Sequence, residues 1–142
     1  MINKLGYRGY VTHNQFGDYK IPVPALNIIY KDYVNKNNLL FKLSVSEINV
    51  EGCYLTMMAL LKELHEIKGV IMYSFFMLPP QKKVRKMIFD AFLKTNTELH
   101  FILENLIIKN QKDVYNLEEL FTINFLNQKC LKSDELNKMM EN

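Results

Sequence analysis

The segment from Leu78 to Lys86, LPPQKKVRK, sets Lys82, Lys83 and Arg85 directly after a double proline. The apolar run before it, Val70–Leu78, reads as a buried strand, so the basic residues open a helix. A helix N-terminus carries about +0.5 charge, which makes cations there unfavourable unless an anion offsets them. Helix starts that follow strands also bind anions readily. The chemistry this pattern predicts is a phosphate held by charge-assisted hydrogen bonds from Lys82, Lys83 and Arg85. A solvated helix face is the plainer alternative.

Other polar residues join this set through their place in a sheet. Ligands in open parallel sheets bind outside the carboxyl ends of the strands. That edge would receive Thr12 and His13 from a first strand, Ser44 and Glu47 from a second, Ser74 and the Lys82–Arg85 cluster from a third and Glu104 from a fourth. Glu47, Glu104 and His100 are the acid–base candidates, and Arg8, Thr12, Ser44 and Ser74 the further ligand-binding candidates. Each has a structural alternative. Ser44 and Glu47 form an S-x-x-E capping box. Ser74 is a small hydroxyl suited to a backbone bond. His100, among Leu99, Phe101 and Ile102, fits a buried and hydrogen-bonded histidine. Arg8 lies inside a strand and needs a carboxylate such as Glu47 or Glu104, or an anionic ligand, because burying it unpaired is costly.

The elements that must position these residues alternate strand and helix. Leu5–Thr12 is the first strand. Pro22 and Pro24 introduce a helix with Leu26, Ile29, Tyr30 and Tyr33 inward, and Pro24 suits its first turn. Leu39–Leu43 is the second strand. A helix started by Ser44 and Glu47 runs to about Ile67 and closes at Lys68-Gly69. After Val70–Leu78 come a helix over 81–95, a strand at Leu99–Leu103, and a continuation or short fifth strand at Leu106–Ile108. Asn116 and Glu119 cap a C-terminal helix carrying Leu117, Leu120, Phe121 and Phe125, and a frayed polar tail begins at Ser133. Strands separated by such helices predict parallel βαβ units with right-handed crossovers. The expected fold is α/β, a small three-layer sandwich on a mainly parallel sheet of four to five strands, in a single domain.

Bulk properties narrow the function classes. The chain has 142 residues, is 49% hydrophobic and 23% charged, and carries a net charge of +3. That charge is too modest to argue for nucleic acid on its own. No apolar run approaches the roughly 20 residues of a membrane span, and no signal peptide is visible, so a cytoplasmic protein is expected. Cys53 and Cys130 lack CxxC spacing and read as reduced thiols. His13, His65 and His100 are scattered and no Gly-rich phosphate loop is present, so neither a metal nor a cofactor is expected.

Taken together, GYRGYVT, Ile21-Pro22, Asn27, Lys31-Asp32-Tyr33, Leu43-Ser44 with Glu47, YSFFMLP at Tyr73–Pro79, Arg85, and LHF with Glu104 resemble the sporadic carbohydrate cluster protein family. These are small bacterial proteins of lipopolysaccharide O-antigen and exopolysaccharide gene clusters. The resemblance implies a role in surface-polysaccharide biosynthesis, with no defined reaction. Val23, Leu26, Lys31 and Val34 depart from the family pattern. With the basic helix start, it leads to the expectation of a small enzyme acting on a sugar phosphate or nucleotide sugar. A non-catalytic accessory protein of a biosynthetic enzyme, or a homo-oligomer, is the alternative, supported by Ile123 and Leu126 off the main apolar stripe. A second resemblance belongs to another class. The element order, the GY-start strand and the GVIMYSF-like third strand are similar to the serine-recombinase catalytic domain. That family needs a nucleophilic serine just after the first strand, where this chain has Thr12, and arginines near the site.

Overall fold

In a computed structural model of the protein, the backbone is described for residues 4–140, and side chains for residues 4–124 and Leu126. The expectations resting on the side chains of Phe125, Cys130 and the tail from Ser133 lie outside the described residues. One compact unit runs to Lys109 and a second begins at Asn110.

The first unit is built in the order β1 (Tyr7–Val11), α1 (Val23–Lys36), β2 (Phe41–Ser46), α2 (Leu55–Leu61), β3 (Gly69–Met72), α3 (Lys82–Lys94), β4 (Glu98–Phe101) and β5 (Leu106–Ile108). The sheet order is β2-β1-β3-β4-β5. The first four strands pair in parallel, and β5 returns antiparallel to β4. This is the α/β class with a mainly parallel sheet that the alternation predicts. Right-handed crossovers place α1 on one face and α2 and α3 on the other. The central strand β3 is therefore covered on both sides. Its residues Val70, Ile71 and Met72 are fully buried, which explains its unbroken apolar run.

Helix α1 starts at Pro22 with Pro24 in its first turn, and buries Leu26, Tyr30 and Val34 at four-residue spacing. Ile29 and Tyr33, expected inward, are half-buried at the margin of that stripe. Tyr30 joins helix to sheet. Its hydroxyl donates to the carbonyl of Tyr10 at 2.6 Å and accepts from the amide of Tyr73 at 3.0 Å. Gly9 makes room for it. A Cβ there would lie 2.4 Å from Ser44 Oγ and 2.6 Å from Tyr30 Cδ2.

Three expectations are corrected. Ser44 does not open a helix but lies within β2, and α2 is one short helix at Leu55–Leu61. The strand expected over Val70–Leu78 stops at Met72, because the Ser74 hydroxyl accepts from the amide of Phe76 and starts a 3-10 turn at Phe75–Met77. Gly69 opens β3 rather than closing a helix.

The second unit consists of α4 (Gln111–Met140). Its cap is Asn110 and not Asn116. Asn110 Oδ1 accepts from the amide of Asp113 at 3.0 Å, and Asp113 Oδ2 accepts from the amide of Asn110 at 3.3 Å. This reciprocal pair is a capping box. Among the described residues, no helix is long and apolar enough to cross a membrane.

Candidate functional site at the carboxyl edge of the sheet

Because β1 lies between β2 and β3, its following loop is flanked by the loops that leave those two strands. Between them opens a cavity of about 500 Å³. It is lined from β1 and its loop by Tyr10, Thr12, His13, Asn14, Gln15, Phe16 and Lys20. The β2 side contributes Glu47, Asn49, Glu51, Cys53 and Tyr54, and the β3 side contributes Phe76, Met77, Pro80 and Gln81.

Hydrogen bonds hold the walls. Thr12 is 6% exposed, and its Oγ1 accepts from the amide of Asn14 at 3.0 Å, which leaves its hydroxyl proton to be donated. The Asn14 side chain donates to the carbonyls of Ile48 (3.3 Å) and Val50 (3.2 Å), tying the β1 loop to the β2 loop. On the other side, Phe16 and Tyr19 form a two-residue bridge, and both rings pack edge-on against Tyr73. Gly17, at φ +57°, lies against the Phe76 ring, where a Cβ would come within 3.0 Å of Cγ.

Glu47 lines this cavity as a structural carboxylate. Its Oε1 accepts from the amides of Ile48 (3.0 Å) and Thr56 (2.9 Å), and its Oε2 from the Tyr10 hydroxyl (2.7 Å) and the amide of Met57 (3.0 Å). Burial pushes its pKa up, but the amide of Thr56, the Tyr10 hydroxyl and the other two amides outweigh that, so it is held below the ordinary carboxylate range. Burial, followed by the bond to Glu47, pushes the Tyr10 phenol well up. Four accepted bonds fit Glu47 to capping α2. They leave it poorly suited to proton transfer.

Of the residues singled out from sequence, the cavity brings together Thr12, His13 and Glu47. Arg8 pairs with Glu63, rather than Glu47 or Glu104, and donates to the Leu43 carbonyl at 2.9 Å. Ser44 Oγ is enclosed without a hydrogen-bond partner. Arg85 is buried and donates to the carbonyls of Pro79 (3.1 Å) and Pro80 (2.6 Å), so it closes the double-proline turn instead of facing a ligand. Lys82 and Lys83 are exposed on the first turn of α3 beside Gln81.

Ser74 donates to Glu104 Oε1 at 2.6 Å, and the amide of Phe75 donates to the same oxygen at 3.2 Å. Both residues lie outside the cavity lining and support its Phe76 wall. Burial raises the Glu104 pKa more than its hydrogen bonds lower it, and Oε2 is enclosed without a partner. His100 also lies outside the cavity. Its Nδ1 is 2.7 Å from the Tyr33 hydroxyl and its Nε2 3.5 Å from Glu98. Burial lowers its pKa more than Glu98 raises it. The buried, hydrogen-bonded alternative is the one realised for His100.

Sequence reasoning missed Lys20, Tyr54 and Phe76 as cavity residues. Tyr54 reads as part of a helix's apolar face and Phe76 as strand interior, and only the shorter α2 and β3 release them. Among the described residues, no three His, Cys, Asp or Glu side chains converge as a metal site.

No protein-family model and no curated protein matches this chain. The fold is similar to the crystal structure of the N-terminal catalytic domain of TP901-1 integrase, with a TM-score of 0.62 and 12% sequence identity. The match covers 87% of this chain and 98% of that one. It corrects the expectation of a polysaccharide-biosynthesis enzyme acting on a sugar phosphate or nucleotide sugar, because the similar fold belongs to an integrase. The resemblance to a recombinase catalytic domain agrees with it.

Proposed function

We propose that this chain is a recombinase-like domain that acts on DNA, with Thr12 as its nucleophile. The observation that carries the reading is the match across nearly the whole integrase catalytic domain. Thr12, the residue after β1, is among those lining the cavity at the sheet's carboxyl edge. In the reaction, Thr12 Oγ1 attacks a phosphodiester phosphorus. A phosphothreonine ester forms, one P–O bond to sugar breaks, and the released sugar oxygen takes up a proton while the threonine proton passes to water. Reversal reseals the strand.

The charge needed for this step is thinly supplied. The two arginines of the chain are Arg8 and Arg85, and both bond within the protein. Lys20 is on the cavity wall together with His13, and Lys82 and Lys83 follow Gln81, which also lines it. Transition-state charge stabilisation is usually the largest catalytic contribution, so slow cleavage is expected.

The test is incubation with mixed-sequence DNA followed by denaturing gels that detect a covalent protein–DNA adduct. A slow adduct that disappears in Thr12→Ala and accumulates faster in Thr12→Ser supports the reading. DNA binding without an adduct in either wild type or Thr12→Ser removes the nucleophile assignment. Absence of any salt-sensitive DNA binding overturns the reading as a whole.

A further inference from the structure

A hydroxyl that attacks phosphorus has to be held along the line of attack, and a loop residue is held only by its anchors. For Thr12 the anchors run through Asn14. The amide of Asn14 donates to Thr12 Oγ1 at 3.0 Å. That bond sets the direction of the hydroxyl and favours the negative charge that builds on Oγ1 as its proton leaves. By itself it is a local turn, of a kind common at threonine, and the turn could still move as a unit.

The Asn14 side chain removes that freedom. Its Nδ2 donates to the carbonyls of Ile48 and Val50, 34 and 36 residues away in sequence. Those two acceptors are themselves fixed. The amide of Val50 donates to the Ile48 carbonyl at 2.7 Å, and that of Cys53 to the Val50 carbonyl at 3.1 Å, so the β2 loop is folded into successive turns. Glu47 Oε1 accepts from the Ile48 amide and from the amide of Thr56 in α2. A chain of bonds therefore runs from the start of α2 through Glu47, Ile48 and Asn14 to Thr12.

We infer that Asn14 is the positioning residue of this site, a clamp that ties the Thr12 hydroxyl to the β2 loop and sets its direction for attack. This inference rests on the proposed action of Thr12 on DNA and adds the residue that prepares it.

The experiment follows adduct formation in single turnovers over a range of mixed-sequence DNA concentrations, per folded protein, in wild type, Asn14→Ala and Asn14→Asp. The saturated rate should fall about ten- to a hundredfold in Asn14→Ala, the scale of a reacting group misplaced by about 1 Å. The half-saturating DNA concentration should stay within about twofold of wild type, since the lost interaction acts on the reaction and not on binding. Asn14→Asp keeps the shape but sets carboxylate oxygens against the two carbonyls, so it should be at least as slow. Repeating the series in Thr12→Ser separates positioning from general support of the fold. Serine lacks the branch that stiffens threonine at χ1, so Asn14→Ala should slow the Thr12→Ser protein by the larger factor. Wild-type saturated rates in both Asn14 variants overturn the inference and leave Thr12 as the nucleophile. A change confined to the half-saturating concentration makes Asn14 a DNA contact and overturns it too, as does an equal factor in both backgrounds. Absence of an adduct from wild type and Thr12→Ser alike overturns the underlying nucleophile assignment as well.

Discussion

Glu47 and Glu104 show how the environment of a carboxylate sets its role. Glu47 is surrounded by donors and is kept ionised. Glu104 has two donors on one oxygen and none on the other, in a setting where burial dominates. Their contributions to stability therefore run in opposite directions with pH. The lowered pKa of Glu47 means its stabilisation is present above the unfolded value of about 4.3 and lost as pH falls through the folded value. The raised pKa of Glu104 means its contribution is present below about 4.3 and lost as pH rises through the folded value. Glu47→Gln is expected to lose about 2–4 kcal/mol at pH 7, from charged hydrogen bonds worth roughly 1.5–3 kcal/mol each, with a smaller deficit near pH 4. Glu104→Gln should stay within about 1 kcal/mol of wild type at pH 7, since one neutral hydrogen bond is worth about that. Urea denaturation across pH checks both, and equal sensitivity of the two variants would refute the assignment.

Element geometry turns on a few close approaches. Gly9 lets Tyr30 reach the backbone of β1 and of Tyr73, just after β3, at once, so α1 is docked by hydrogen bonds as well as by its apolar stripe. Gly9→Ala is expected to cost about 1–3 kcal/mol through overpacking, read as a lower thermal midpoint. The start of α3 separates two roles that a run of basic residues conceals. Arg85→Ala should destabilise the double-proline turn and leave DNA affinity at equal folded fraction unchanged. Lys82→Glu and Lys83→Glu should do the reverse, with little change in the thermal midpoint and weaker DNA binding. The element least readable from sequence is α2. Its capping carboxylate was visible as Glu47, but the helix it caps begins at Leu55, across a loop that carries Cys53 and Tyr54 into the cavity.

At the scale of the molecule, a net charge of +3 gives little general attraction for DNA, so binding depends on where the cations lie. Lys20, Lys82 and Lys83 belong to the carboxyl edge of the sheet, close to the cavity. DNA affinity should fall with salt, and each of Lys82→Glu and Lys83→Glu should reduce the log–log salt slope by about 1, as expected for one lost phosphate contact. Anisotropy titrations at several salt concentrations measure it. A slope unchanged in both variants would exclude this edge as the contact surface.

Local pattern was enough to read the alternation of strands and helices. Apolar periodicity, proline placement and glycine are properties of neighbouring residues, so α1, α3 and the α/β class were legible. The gathering of Thr12 and Glu47 at one edge followed from topology, because parallel strands carry their carboxyl ends to the same side. What only the tertiary structure decided were the partners across the sequence. Arg8 found Glu63, Ser74 found Glu104 and cut β3 short, and Arg85 turned to two proline carbonyls. Those bonds join residues whose spacing has no periodicity to betray them, except the short-range Arg85 pair. They converted most of the candidate ligand groups into supports, and left Thr12 facing a cavity flanked by two rings that sequence had assigned to the core.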